Sequence, residues 1–329
     1  MSIQGNVVLV TGAAGFVGSH LVEQLVDCGA VVRCFVRYTS KPKFGCLEDL
    51  PPAKRKSIEV VAGDLRDAEA VCGATKGVDT VFHLGALIGI PYSYEHPREV
   101  IETNVMGTFN VLMSARRRGV RRVVYASSSE VYGTASYVPI DEKHPLQAQS
   151  PYSASKIGAE KLVESFHTSF GLPAITLRPF NIFGPRQSAR AIIPTIITQL
   201  LVDGTVRLGN ISATRDFTFV ADTVSAFLKA ATVDSAVGGT FNVGSNSEIS
   251  VADLTKKIAH LAGRDYRINL QEQRLRPARS EVNRLRADST LATSLLGWSP
   301  QISLNAGLTC TLSWIENNLD RYRTGHYEI

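Results

Sequence analysis

The apolar positions of this chain cluster in short continuous runs, not in strict alternation. Six runs recur along the first 180 residues: VVLV (7–10), VVRCFV (31–36), IEVVAG (58–63), TVFHLG (80–85), RVVYAS (122–127) and AITLRPF (174–180). Between them lie stretches with helical spacing, such as FVGSHLVEQLVDCG closed by Gly29, and NVMGTFNVLMSARRRG. Strands apolar on both faces that alternate with amphipathic helices predict a parallel sheet covered on both sides, a doubly wound α/β fold. Ser150 and Pro151 read as the N-cap and first residue of a further helix, YSASKIGAEKLVESFHTSF, which ends near Gly171 and Pro173.

Beyond residue 181 the segments shorten, and Arg and Pro recur in GPRQSAR, ATRDF and RLRPARSE. The division read here is a nucleotide-binding unit over 1–180 and a smaller α/β substrate unit over 181–329. The segment 217–245 is expected to return to the sheet. There is no internal repeat and no low-complexity linker.

The first run and its sequel, VVLVTGAAGFVGSH, place Gly12, Gly15 and Gly18 three apart between a strand and a helix. Glycine permits positive φ and close backbone approach. The N–H groups at the helix start, from Phe16 and Val17 onward, can then meet a pyrophosphate. A glycine motif alone is also met in ligand-free tight turns. Following the first strand and opening a helix, it specifies a Rossmann-type dinucleotide site.

A free 2′-hydroxyl on the adenosine ribose calls for an acid at the end of the second strand. Val36 stands there, followed by Arg37, Thr39 and Ser40. A guanidinium at that place pairs with a 2′-phosphate, which favours NADP over NAD. The competing reading is a solvated arginine with NAD held by other contacts. Asp64 and Leu65, at the next strand end, are placed to meet the adenine.

Tyr152 and Lys156 are four apart and share a helix face. A free tyrosine, with a pKa of about 10, is a poor base near neutrality, and a nearby ammonium favours the phenolate. The run RVVYASSSEVYG ends in Ser127, Ser128, Ser129 and Glu130, at the end of a sheet strand where open α/β sheets place ligands.

Composition narrows the class. The chain has 329 residues, 44% hydrophobic and 20% charged, with a net charge of +5. That charge suits an anionic small molecule and is too small to argue for nucleic acid. No apolar run reaches the roughly 18 residues of a membrane span. The N-terminal stretch lacks signal-peptide features. Five scattered cysteines, with no ligand spacing, point to a reducing cytoplasm and no metal. His83, inside an apolar run, reads as a core histidine, and neither it nor His144 has companion ligands.

Gly12, Gly15, Gly18, Asp64, Asn104 in NVMGT, Ser128, Tyr152 and Lys156 together resemble the extended short-chain dehydrogenases/reductases that act on nucleotide sugars. LRPFNIFGPR, TRDFTFV, FNVGS and LLGWSPQISLNAGL extend the resemblance over essentially the whole chain. It implies a tightly bound, recycled NAD(P)+, with Tyr152 taking the C4 proton and Ser128 bonding the C4 oxygen. Lys156 would hold the nicotinamide ribose and lower the tyrosine pKa. Asn104, grouped with the coenzyme residues, would anchor the helix geometry behind them. Asn181, Arg215 and Arg276 would hold the diphosphate or nucleotide. It also implies a homodimer joined as a four-helix bundle through helices at about 103–118 and 151–169.

Glu130 sets the expected reaction. Once C4 is a ketone the C5 proton is acidic, and a carboxylate two residues past Ser128 can remove it while water leaves from C6. The sequence SSSEVYG resembles nucleotide-sugar 4,6-dehydratases, and the wider text resembles the dehydratase group of legionaminic acid pathways, which acts on GDP-N-acetylglucosamine. Many dehydratases carry an aspartate where Ser129 stands, so the general acid is unassigned unless Glu130 serves both steps. Alternatives are a uronic acid decarboxylase, with the serine hydroxyls and Arg186 holding a C6 carboxylate, a 4-epimerase, and a non-catalytic NAD(P)-binding regulator. The alternative for Glu130 itself is a surface acid paired with Arg or Lys.

Overall fold

Residues 2–39 and 43–322 are described by a computed structural model. The apolar runs become strands β1 (Val7–Thr11), β2 (Val31–Arg37), β3 (Glu59–Gly63), β4 (Thr80–His83), β5 (Arg122–Ala126) and β6 (Ala174–Pro179). A later strand, β7 (Thr240–Val243), joins them, and all seven pair in parallel in the order β7-β6-β5-β4-β1-β2-β3. The order reverses between β1 and β4, and the crevice beyond their C-terminal ends is where this topology receives ligands.

Residues alternate between two cores. Val8 and Val10 of β1 and Val124 of β5 face one side with Leu21, Leu25 and Phe227. Leu9, Val81, Val123 and Tyr125 face the other with Val111, Leu112, Val163 and Phe166. The period of two along a strand thus gives each sheet face its own apolar layer. No strand in the centre can present a solvated face, which is why the runs are continuous.

The helices that matter for the site are α1 (Phe16–Asp27), α2 (Gly107–Arg118) and α3 (Pro151–Phe170). Ser150 caps α3: its Oγ accepts from the Ser153 N–H at 3.0 Å, and Ser153 Oγ accepts from the Ser150 N–H at 2.9 Å. Gly171 ends the helix at φ +66°. Helix α2 continues from Pro97–Ile101 through a π-helical turn, Glu102–Met106, that contains Asn104.

The remaining chain adds α4 (Ile192–Val202), α5 (Val220–Thr232), α6 (Val251–Ala262) and α7 (Leu304–Glu316). Ile193, Ile196, Leu254, Ile258, Leu308 and Leu312 form a separate core there. Short strand pairs flank it, among them Asn181–Phe183 with Phe217–Phe219. The return to the large sheet therefore begins later than expected. Phe217–Phe219 stays outside it, and only α5 and β7 rejoin, with Val220 and Phe227 packed in the first core. The segment before α7 is clipped onto α5 by Asp222, whose carboxylate accepts from the Gln301 and Ile302 N–H groups at 3.0 and 2.9 Å.

Candidate active site

The loop after β1 turns at Gly12, with φ +71°, and the Gly15 N–H donates back to Gly12 O at 3.0 Å. A side chain at Gly12 would meet the Gly85 nitrogen at 2.8 Å, and one at Gly18 would meet Gly12 O at 2.2 Å. Both contacts are with backbone and cannot be relieved by a rotamer change. Gly15 is the N-cap of α1, so the N–H groups of Phe16 and Val17 have no partner within the helix and carry its positive dipole end. This cradle fits a dinucleotide pyrophosphate. Gly18→Ala is expected to cost about 1–3 kcal/mol of stability by overpacking and to weaken coenzyme binding. Parent-like urea midpoint and coenzyme affinity would contradict that.

Beside the loop lies a cavity of about 130 Å³ bounded by Gly12, Phe35, Arg37, Asp64, Leu65 and Leu87, among others. The Arg37 side chain is 65% exposed and 3.5 Å from Glu99, which also accepts from the Tyr92 hydroxyl. Thr39 is exposed nearby, and Ser40 lies outside the described residues. Asp64 lines the cavity, but its carboxylate is gripped by Arg66 at 3.0 and 2.7 Å, which holds it below the usual carboxylate range. Leu65 is nearly buried and supplies an apolar wall.

At the end of β5, Ser128 is extended (φ −161°), and its Oγ accepts from the Glu130 N–H at 3.2 Å, opening the tight turn Ser129–Tyr132. Ser127 and Ser129 are buried in this turn. Tyr152, in the first turn of α3, is 6% exposed. Burial pushes its phenol up to about 12; the Ser128 hydroxyl opposes this and the Glu130 charge adds to it. The Lys156 ammonium is 3% exposed, donates to the Ala126 carbonyl at 2.7 Å and lies 5.0 Å from the centre of the Tyr125 ring. Burial lowers it to about 8, with Glu160 working the other way.

Glu130 is not a surface acid. Its side chain is 13% exposed, and Oε2 lies 3.6 Å from Arg276 Nη1, an atom that is itself buried without a hydrogen-bond partner. Arg215, 8% exposed, feels the charges of Glu130, Arg276 and Glu281. Its guanidinium donates to the Thr214 carbonyl at 2.9 Å and to Glu281 at 3.4 Å. Asn181 Oδ1 is buried and unpartnered in the strand that follows β6. The orphaned Arg276 Nη1, beside a second arginine, is what an anionic ligand would satisfy, whereas Asn181 Oδ1 is placed to accept from a ligand hydroxyl or N–H.

Asn104 Oδ1 accepts from the Leu87 N–H at 2.7 Å, and its Nδ2 donates to Leu87 O and Ser155 Oγ, each at 2.9 Å. It ties the loop after β4 to α3. Arg186, at φ +70°, turns to α1 and pairs with Glu23 at 2.7 Å, so it is not beside Glu130. His83 is held between the hydroxyls of Thr11 and Thr108 at 2.7 and 3.0 Å, and burial lowers it to about 3. Among the described residues no cluster of His, Cys, Asp and Glu could hold a metal ion.

The sequence reading missed Glu281 and the strap that carries it. The Tyr94 hydroxyl lies 2.6 Å from Ser280 Oγ, fastening the segment between Arg276 and Glu281 across the site. The one available signal was the density of charge in RLRPARSE.

Residues 9–311 match the family model described as GDP-mannose 4,6 dehydratase. A UDP-glucose 4-epimerase of Mycolicibacterium smegmatis is 35% identical over 94% of this chain and 98% of its own length. A dTDP-D-glucose 4,6-dehydratase of Mus musculus is 29% identical over 96% and 90%. Among solved structures, an epimerase from Methanothermobacter thermautotrophicus superposes with a TM-score of 0.89 at 31% identity, covering 98% of this chain and 96% of that one. A dTDP-glucose 4,6-dehydratase from Streptomyces venezuelae, solved with NAD and TYD bound, gives 0.85 at 30% identity, covering 96% and 99%. The chain belongs to the nucleotide-sugar epimerase/dehydratase family of extended short-chain dehydrogenases/reductases. No helix among the described residues is long and apolar enough to cross a membrane.

Proposed function

We propose that this protein is an NAD(P)-dependent nucleotide-sugar 4,6-dehydratase. The observation that carries the reading is the Glu130 carboxylate, its side chain only 13% exposed at the end of β5 and 3.6 Å from Arg276 instead of facing solvent. In this reading residues 1–180, with the returning segment, hold the coenzyme, and residues 181–329 hold the nucleotide sugar. The nicotinamide of a bound coenzyme supplies a hydride acceptor at C4 and a hydride donor at C6.

The side chains do the rest. Gly12, Gly15, Phe16, Val17 and Gly18 present the backbone that would hold the pyrophosphate, and Arg37 the residue that would meet a 2′-phosphate. Ser128 bonds the C4 hydroxyl, and Tyr152 accepts its proton as the C4–H bond breaks. The resulting ketone acidifies C5, whose proton passes to Glu130. The C6–O bond then breaks, and Glu130 returns that proton to the departing hydroxyl, so one water leaves. A solvent proton finally reaches C5. Asn181, Arg215 and Arg276 anchor the diphosphate. By resemblance, GDP-N-acetylglucosamine is the first substrate to try.

Arg37→Ala is expected to weaken NADP about ten-fold or more, the scale of one lost charge-assisted bond, while changing NAD little. Equal losses, read by titration calorimetry, would refute the phosphate contact. A homodimer belongs to the same reading: Ile101, Met106 and Phe170, on or beside the two long helices, are 39%, 50% and 48% exposed. A 4-epimerase is the second reading, favoured by the 35% identity to the mycobacterial epimerase. Mass spectrometry of products from UDP-, GDP-, CDP- and dTDP-hexoses separates them: dehydration removes one water, epimerisation leaves the mass unchanged, and decarboxylation of a uronate removes carbon dioxide.

A further inference from the structure

We propose that Glu160 is a positioning residue that keeps Lys156 charged inside the core and so sustains the proton machinery at Tyr152. The proposal rests on the Tyr152–Lys156 assignment above, not on the fate of the sugar. Glu160 lies one turn beyond Lys156 on α3, and both side chains are buried, at 5% and 3% exposure. Its carboxylate is gripped by Arg178 of β6 through Nε at 2.9 Å and Nη2 at 2.7 Å. Arg178 Nη1 also donates to the Tyr132 hydroxyl at 2.9 Å, which donates to Asn242 Oδ1 of β7 at 2.6 Å. The carboxylate is thereby fixed in place, with its rotamer held by a chain of bonds crossing three elements.

The groups facing Lys156 show why this matters. From β4 comes His83, neutral at any working pH because it is buried and lowered to about 3. From β5 come the Tyr125 ring and the Ala126 carbonyl. Its own helix supplies Tyr152 and Glu160, and β6 adds Arg178, already bound to Glu160. The turn Ser129–Tyr132 carries Glu130, paired with Arg276, and the π-helical turn carries Glu102, paired with Arg98. Burial penalises the ammonium, and the charge that opposes this penalty is that of Glu160. A buried Arg–Glu pair is weak evidence of a stabilising device, since apolar residues of similar volume often serve as well. A fixed negative charge beside a buried functional lysine gives the pair another purpose.

The test reads Lys156 directly. In full-length protein with ¹³Cε-labelled lysine, the Lys156 signal is identified by its loss in Lys156→Arg, then titrated in the parent, in Glu160→Gln, and in Glu160→Gln combined with Arg178→Met. The double variant removes the orphaned guanidinium and guards against simple misfolding. Loss of an opposite charge one helical turn away is expected to lower the midpoint by about 1 pH unit. The alkaline limb of turnover should fall by the same interval, giving about ten-fold less activity on that side. A midpoint that does not fall in folded Glu160→Gln overturns the proposal, whatever the variant's stability; should that variant not fold, so does a midpoint that does not fall in the double variant, where loss of the Arg178 charge makes the expected fall smaller. Because the titration needs no substrate, the inference can fail or stand independently of the dehydratase reading.

Discussion

Tyr152→Phe is expected to lose turnover by about 10²–10⁴-fold, the usual scale for a positioned acid–base group, while coenzyme affinity stays near that of the parent. The substitution removes only the hydroxyl, and the ring remains buried in the first turn of α3. Burial holds the phenol near 12, so it is protonated throughout the neutral range in the ligand-free protein. It becomes useful as a base only where positive charge faces it, which makes the charge state of Lys156 decisive. Lys156 is protonated below about 8, so activity should decline as pH rises through that value. Near-parent turnover in Tyr152→Phe, measured as sugar product per minute, would remove Tyr152 from its role.

Glu130→Gln is expected to separate the two halves of the reaction. The amide keeps the volume of the carboxylate but loses its charge and one acceptor oxygen, and cannot accept the C5 proton. Elimination should fall by about 10²–10⁴-fold, whereas C4 oxidation depends on Ser128 and Tyr152 and should continue. Reduced coenzyme would therefore accumulate, visible by its absorbance, with little dehydrated product. Arg276 loses a charge partner 3.6 Å away, so some weakening of substrate binding should accompany the change. If the protein were an epimerase, the same variant would retain most of its turnover and show no build-up of reduced coenzyme.

Continuous apolar runs and the glycine loop made the sheet and its crevice legible, because burial on both faces leaves a direct imprint on composition. Helical spacing likewise placed Tyr152 and Lys156 on one face of α3. Tertiary choices made between distant groups were not legible. Arg186 could have faced the sugar, but Glu23 offers it a buried carboxylate from α1. Asp64 is captured by Arg66 two residues away, a local ion pair that strand-end logic does not weigh. The π-helical turn over ETNVM reads as ordinary helix in sequence, yet it aims Asn104 at Leu87 and Ser155. The return of the chain to the sheet was delayed because FTF pairs with NIF, two apolar triplets that satisfy one another outside it. The Glu160–Arg178 pair spans a helix and a strand and leaves no periodic signature.

The central claim is that a carboxylate removes the C5 proton of a transient 4-keto sugar. It is tested most directly by incubating the protein with coenzyme and GDP-N-acetylglucosamine, and with the wider nucleotide-sugar panel, in D₂O. The account predicts a 4-keto-6-deoxy product that has lost one water and carries deuterium at C5. A product of unchanged mass, inverted at C4 and with protium retained at C5, would contradict it.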